Sequence, residues 1–340
     1  MKELLKAVLP DFLLNKLRGA KKNMDEARFD RGVDTITKNL KKYGLNNNAI
    51  MKSLNKHGLN VSMMSDYCSP LPVMSDLEKN ITRWFKPSRL AGIQFDLQAM
   101  KTMLSELISK YSDEYEKIPP YDENVKKEYG EGYTALDAML LYFMIRDIKP
   151  KRYLEVGAGI STYYAYLAAN RNSEEGRALG ITCIEPYPFE SLYNIPQIEI
   201  IKKDVQSVEL RAFEELDAGD MLFIDSSHIA KIDGDVPYLY LEVLPNLKKG
   251  VIIQIHDIPF PFNVPFPPEH WIFGQSWPRF WNEAMFLQAF LCYNDAYKIL
   301  ISAPLLRFYK EDFLRAIVRH YEPISKNANT FSSIWIEKIK

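Results

Sequence analysis

Apolar positions recur at helical spacing through the first third of the chain and in short β-rich runs through the remainder. Leu5, Val8, Leu9, Phe12 and Leu13 share one face at helical spacing, and Pro10 marks the first turn of a second short helix. From Met24 to about Ile118 the pattern stays helical, with breaks at Asn46-Asn47-Asn48 and Ser69-Pro70-Leu71-Pro72. Within it, Leu97, Met100, Leu104 and Leu107 predict one amphipathic helix. The run Ile118-Pro119-Pro120-Tyr121-Asp122-Glu123-Asn124 reads as a linker, because consecutive prolines cannot continue a helix.

Beyond the linker the pattern predicts strands at Arg152–Val156, Ile181–Glu185, Ile198–Ile201, Met221–Asp225 and Val251–His256. Helical pieces such as Ser161–Asn170 and Val236–Leu247 separate them, and Tyr297–Ser302 and Phe331–Ile339 read as two further strands. Strand–helix alternation at this pace means βαβ units and a parallel sheet covered on both faces. The expected fold is therefore α/β: a Rossmann-like, doubly wound, seven-stranded sheet over residues 121–340, its last strands partly antiparallel. A mainly helical N-terminal region fills residues 1–120.

Composition narrows the function classes. The 340 residues carry 43 Lys+Arg against 44 Asp+Glu, a formal net charge of −1. That balance argues against nucleic acid as the main ligand, which needs a concentrated cationic surface. No apolar run approaches the ~18 residues of a membrane span, and Lys2, Glu3, Lys6 and Asp11 interrupt any signal-peptide layout. Residues 1–60 are nonetheless basic, with thirteen Lys/Arg against six Asp/Glu. Residues 1–22 thus fit either packing on the protein itself or contact with a membrane surface. Cys68, Cys183 and Cys292 are too few and too scattered for a disulfide framework or a zinc knuckle, so the chain reads as cytoplasmic.

In a doubly wound sheet, ligands bind outside the carboxyl ends of the strands near the switch point. The first strand ends in Leu154-Glu155-Val156-Gly157-Ala158-Gly159-Ile160-Ser161-Thr162. Gly157 and Gly159 permit a tight turn and close approach of a ligand to the backbone, and the next helix offers its N-terminal amides. The second strand ends in Glu185, placed to accept both hydroxyls of a ribose. Thr162 stands where a dinucleotide fingerprint has its third glycine. A nucleoside ligand without a diphosphate fits better than a nicotinamide dinucleotide, and S-adenosylmethionine is the candidate.

These residues also carry a family resemblance. Glu155-Val156-Gly157-Ala158-Gly159 resembles motif I of class I S-adenosylmethionine-dependent methyltransferases. The likeness continues through Cys183-Ile184-Glu185-Pro186, Phe223-Ile224-Asp225-Ser226-Ser227-His228, Gln254-Ile255-His256-Asp257-Ile258 and Phe280-Trp281-Asn282-Glu283. Together they resemble a bacterial branch of small-molecule methyltransferases grouped as methyltransferase domain 24, over residues 57–340. The resemblance implies a cofactor site of Glu155, Gly157, Gly159, Ser161, Glu185, Asp204 and Asp225. Gly157 and Gly159 would line the methionine portion, Glu185 the ribose, Asp204 the adenine, and Asp225 the sulfonium and acceptor.

Asp225 and His228 follow the fourth strand, and His256 and Asp257 end the fifth. Adjacent strands lie ~4.8 Å apart, so the four converge on one crevice. A histidine of ordinary pKa suits removal of an acceptor's proton, which makes His256 or His228 the expected base. The same side chains suit a divalent metal, as in catechol-type methyltransferases, although His256 departs from their oxygen-rich ligand set. Two alternatives follow: a non-haem iron oxygenase-like enzyme on this fold, or a non-catalytic cofactor-binding module. The stretch Asp257–Pro268, with Trp271, Phe273, Trp277, Phe280 and Trp281, forms either an acceptor wall or a loop packed on the core. Its aromatic rings suit a sugar or a phenol alike.

Overall fold

The computed structural model describes Arg31, Lys38, Lys42 and residues 47–57, 66–130, 132–274, 278–319, 321 and 332–340. The expected basic helices of residues 1–22, together with Trp277 and His320, lie outside the described residues. The chain divides into two compact units, Met1–Lys79 and Asn80–Lys340. Among the described residues, the first contains the helices Asn47–Lys56 and Met74–Lys79. No helix among the described residues is long and apolar enough to cross a membrane.

The second unit is built on seven strands: β1 (Arg152–Val156), β2 (Gly180–Ile184), β3 (Ile198–Ile201), β4 (Met221–Ile224), β5 (Ile252–Ile255), β6 (Tyr297–Ser302) and β7 (Ile334–Lys338). They lie in the order β3-β2-β1-β4-β5-β7-β6. The first five pair in parallel, and β7 inserts antiparallel between β5 and β6. This is the expected Rossmann-like doubly wound sheet. The chain winds outward from β1 to β3, then crosses back to β4, so the ends of β1 and β4 form the switch point. β4 (Met-Leu-Phe-Ile) is buried throughout, which is why it reads as a continuous apolar run; β5 (Ile-Ile-Gln-Ile) is equally buried, and its Gln254 amide donates to Tyr133 Oη (2.6 Å) and Ser333 Oγ (2.9 Å).

Five helices matter for the site: α1 (Leu97–Tyr115), α2 (Ala135–Ile148), α3 (Ile160–Glu174), α4 (Glu283–Leu291) and α5 (Ala303–Ile317). The predicted stripe of α1 buries Met100, Leu104 and Leu107, and the Asp96 side chain caps its first turn. It belongs to the same unit as the sheet, pinned by the Arg146 guanidinium of α2, whose Nε lies 2.6 Å from Glu114 Oε1. The expected linker is more ordered than an open connection. Tyr121–Val125 forms a helical turn, and Asn124 is buried with its amide donating to Pro119 O and Tyr164 Oη. α1 ends at Tyr115 in a tightened turn, Lys117 N donating to Glu114 O and Ile118 N to Tyr115 O, and Pro119-Pro120 follow where no amide hydrogen could continue it.

Candidate functional site

Main-chain bonds continue the sheet one residue past the strand ends and fix the crevice floor. Gly157 N donates to Ile184 O (3.0 Å), Asp225 N to Val156 O (2.9 Å) and His256 N to Ile224 O (2.9 Å). Gly157 holds φ +90°, and a Cβ there would lie 1.8 Å from Asp225 O. Only glycine lets the β1 turn pass that close to the end of β4. Above this floor opens a cavity of about 570 Å3. Gly157, Gly159, Ser161 and Glu185 line one part of it, and Asp225, His228 and Asp257 another. Aromatic and proline side chains, among them Pro265, Phe266, Trp271 and Trp281, form further wall.

Three residues expected at the cofactor lie elsewhere or act indirectly. Glu155 is fully buried beneath the glycine turn. It accepts hydrogen bonds from Ser161 Oγ (2.5 Å) and Thr162 Oγ1 (2.7 Å). Burial pushes its pKa up to about 8, against the pull of those hydrogen bonds. It braces the turn from below and has no face on the cavity. Ser161 lines the cavity with its hydroxyl turned to Glu155. Asp204 stands exposed before the 3-10 turn Val205–Ser207, away from the cavity wall and without a side-chain capping bond. Glu185 does face the cavity, with Oε1 accepting from Tyr187 N at 2.8 Å.

The four strand-end residues converge. His228 Nε2 lies 3.2 Å from Asp225 Oδ1 and 3.6 Å from Asp257 Oδ2, while its Nδ1 lies 2.8 Å from Glu283 Oε2. His256 is wholly buried behind them, with Nδ1 3.3 Å from Asp225 Oδ1. Its Nε2 lies 2.9 Å from Ser332 Oγ. The Nδ1 contact is within ion-pair distance but too poorly aligned for a hydrogen bond. His228 (φ +59°) and Asp257 (φ +54°) both sit in the left-handed region. Side chains there cost about 1 kcal/mol or more each, a strain that concentrates where function fixes a residue's direction.

Electrostatics settle the charge states. Burial alone would lower the pKa of His228, but hydrogen bonds to Asp225 and Glu283 and the charges of Glu283 and Asp257 push it up to about 10. Burial opposes the same shift at His256, where Asp257, Asp225 and Asp137 overcome it and hold the imidazole protonated. Burial would raise Asp225, yet the charge of His256 beside it and its contact with His228 keep it well below the usual carboxylate range.

Two contributors, Asp137 and Glu283, had no role assigned from the sequence. Asp137 of α2 is completely buried and accepts from Ser332 N (2.9 Å), Ser333 N (3.1 Å) and Thr134 Oγ1 (2.7 Å). It therefore carries a negative charge under His256, 3.5 Å from Nε2. Glu283, at the start of α4, holds His228 and accepts from Tyr240 Oη at 3.0 Å. Each had a sequence signal: Thr134-x-x-Asp137 is a capping pattern, and Glu283 closes the quoted run Phe280-Trp281-Asn282-Glu283 and opens a mostly apolar helix. The proline-aromatic stretch divides between the cavity wall and the core. Pro259, Pro265, Phe266, Trp271 and Trp281 line the cavity, whereas Phe260 is fully buried. Phe262 stacks on Phe85 (4.9 Å) and packs near Phe266 (4.7 Å).

Residues 154–258 match the profile of the family described as "Methyltransferase domain". An uncharacterized protein of Archaeoglobus fulgidus is 27% identical over 161 residues, 44% of this chain and 72% of that one. The SAH-bound methyltransferase PaMTH1 of Podospora anserina is similar at 16% identity and a TM-score of 0.37, over 80% of this chain and 99% of its own. The O-methyltransferase of Bacillus cereus, crystallised with SAH, is similar at 11% identity and a TM-score of 0.39, over 72% and 100%. The matched residues run from β1 through β5 and carry the glycine turn, Glu185, Asp225, His228 and Asp257. Residues 154–258, carried on a Rossmann-like sheet, are thus similar to a methyltransferase domain.

Proposed function

We propose that this protein transfers a methyl group from S-adenosylmethionine to an oxygen atom of a small-molecule acceptor. The observation that carries the reading is one cavity lined both by the Gly157–Gly159 turn with Glu185 and by the Asp225–His228–Asp257 cluster. Glu185 takes the ribose hydroxyls, and the amides opening α3 take the methionine portion. Asp204, off the cavity wall, is left out of the proposed contacts.

The acceptor oxygen attacks the methyl carbon in line. The new C–O bond forms as the C–S bond breaks, its electron pair stays on sulfur, and the neutral thioether leaves. The protein's task is to hold the two in line and receive one proton. Because both histidines are held protonated, the proposed proton acceptor is the Asp257 carboxylate, with His228 orienting it. A carboxylate suffices because the acceptor's proton becomes strongly acidic as the C–O bond forms. His256 is then a positioning residue behind Asp225.

One observation favours a second reading of the cluster. Ligand atoms of Asp225, His228 and Asp257 all lie within 4.8 Å of one another, a donor set suited to a divalent cation. These three residues would hold it, and the ion would lower the pKa of an acceptor hydroxyl. The readings separate under chelation, since full activity in chelator excludes a required ion.

The proposal is tested first by calorimetry. S-adenosylmethionine is expected to bind with low-micromolar affinity, about −8 kcal/mol, followed by labelled-methyl transfer to a panel of hydroxylated sugars and phenols. Tight NAD binding with none for S-adenosylmethionine would refute it.

A further inference from the structure

The cavity wall carries a cation that none of this chemistry uses. The Arg279 guanidinium carbon lies 4.7 Å from the Trp271 ring centre and 4.8 Å from that of Trp281. The two indoles are stacked 6.1 Å apart at 29°. Arg279 N donates to Trp271 O at 3.1 Å, so the same segment fixes its main chain. Trp281 in turn packs on the His228 imidazole, ring centres 4.5 Å apart. Contacts of 4.5 and 4.8 Å in series bound the distance from the His228 ring to the guanidinium at about 9.3 Å, roughly one ring with its substituents.

The two ring centres, 4.7 and 4.8 Å from the guanidinium carbon and 6.1 Å from each other, lie about 80° apart as seen from it, so both indoles flank one side of the group. Its five N–H donors fan out in a plane, and those on the other side are turned to neither ring. No carboxylate pairs with it among the described residues. A second cation, Arg307, lines the same cavity 5.7 Å from the Phe266 ring centre. Burial lowers its pKa to about 10, so it stays charged at neutral pH. Elsewhere the cavity carries carboxylates, Glu185, Asp225 and Asp257. The cavity is thus electrostatically polarised. An anionic group beside the carboxylates is repelled, while the in-plane fork of an arginine matches a carboxylate or phosphate.

We propose that the acceptor is a hydroxylated ring bearing a carboxylate or phosphate group, and that Arg279 is the specificity-determining residue that reads that group. The inference rests on the methyl-transfer reading. It goes beyond it by orienting the acceptor, hydroxyl toward Asp225 and Asp257 and anion toward Arg279, with Phe266, Trp271 and Trp281 as apolar walls.

The test uses benzoate and phenyl phosphate as anionic probes and benzyl alcohol as their neutral counterpart. Each is titrated calorimetrically into the whole protein and into Arg279→Gln, with and without S-adenosylhomocysteine. At least one anionic probe is expected to bind tenfold or more tightly than benzyl alcohol, and the stronger of the two identifies the acceptor's anion. Arg279→Gln is expected to erase that margin with S-adenosylhomocysteine affinity and melting temperature unchanged. If neither anion binds better than benzyl alcohol, or the margin survives in the variant, the proposal is overturned. A wild-type protein that does not bind S-adenosylhomocysteine sinks the methyl-transfer reading instead, and the probe titrations made without it still report on Arg279.

Discussion

Replacing Gly157 by alanine isolates what the glycine turn contributes. The added Cβ would lie 1.8 Å from Asp225 O and 2.8 Å from its carbonyl carbon, where real contacts essentially never fall below 3.0 Å. The two strand ends must therefore part by about 1.2 Å, and the atoms in the way are main chain, tied by Asp225 N to Val156 O. The φ of +90° adds about 1–3 kcal/mol of strain for a residue with a side chain. Overpacking of this kind adds about 1–3 kcal/mol more. A total of about 2–6 kcal/mol corresponds to a fall in Tm of roughly 5–20 °C. Differential scanning fluorimetry measures it, and calorimetry with S-adenosylhomocysteine should show binding lost, because Asp225 moves with its carbonyl. Gly159→Ala is the control. Its φ is −166°, and a Cβ there would meet only Tyr129 O at 3.7 Å, so Tm should hold within the equivalent of about 1 kcal/mol. A Gly157→Ala protein with wild-type Tm and affinity would refute the close approach of β1 and β4 as the reason for glycine.

Glu185→Ala should weaken S-adenosylmethionine binding by about 1.5–3 kcal/mol, the worth of hydrogen bonds to a charged acceptor. Its fold should be intact, because the Tyr187 amide it releases is in an exposed residue; calorimetry showing unchanged affinity removes Glu185 from the site. The raised pKa of His228 makes stability fall on the alkaline side. Its contribution is full below the unfolded value of 6.5 and is lost as pH rises through about 10. The Tm advantage of wild type over His228→Gln should therefore narrow between those values, and a constant gap contradicts the charged pairing with Asp225 and Glu283. His256→Ala leaves Asp137 and Asp225 without their shared cation. It should cost about 3–5 kcal/mol of stability, whereas a Tm within 2 °C of wild type would mean the pair is not held as described.

The sheet was written locally. β1, β3 and β6 have the bounds their apolar runs predict, and β2, β4 and β5 differ by a residue at one or both ends. Burial on both faces makes β4 apolar along its length, and the others are short runs rich in Ile, Val, Leu and Tyr that any short window reveals. The glycine turn, Glu185, Asp225, His228 and Asp257 were legible for a related reason: parallel topology brings every strand's carboxyl end to one edge, so following the strands finds the crevice.

Which of those residues meets the cavity was decided by tertiary structure. Glu155 and His256 have the residue types of ligand and base, yet both are wholly buried, one under the turn and the other between Asp225 and Ser332. The groups that set the charge of the histidines come from distant sequence, Glu283 from 55 residues beyond His228 and Asp137 from a helix before the first strand. A histidine's sequence neighbours do not fix its proton; that depends on how much water burial removes and how many carboxylates packing brings within a few ångströms. The sequence by itself determined where the polar ends of the strands gather. Only the packing of α2, α4 and the segment before β7 against that edge determined which of them stay charged, and which face the open cavity.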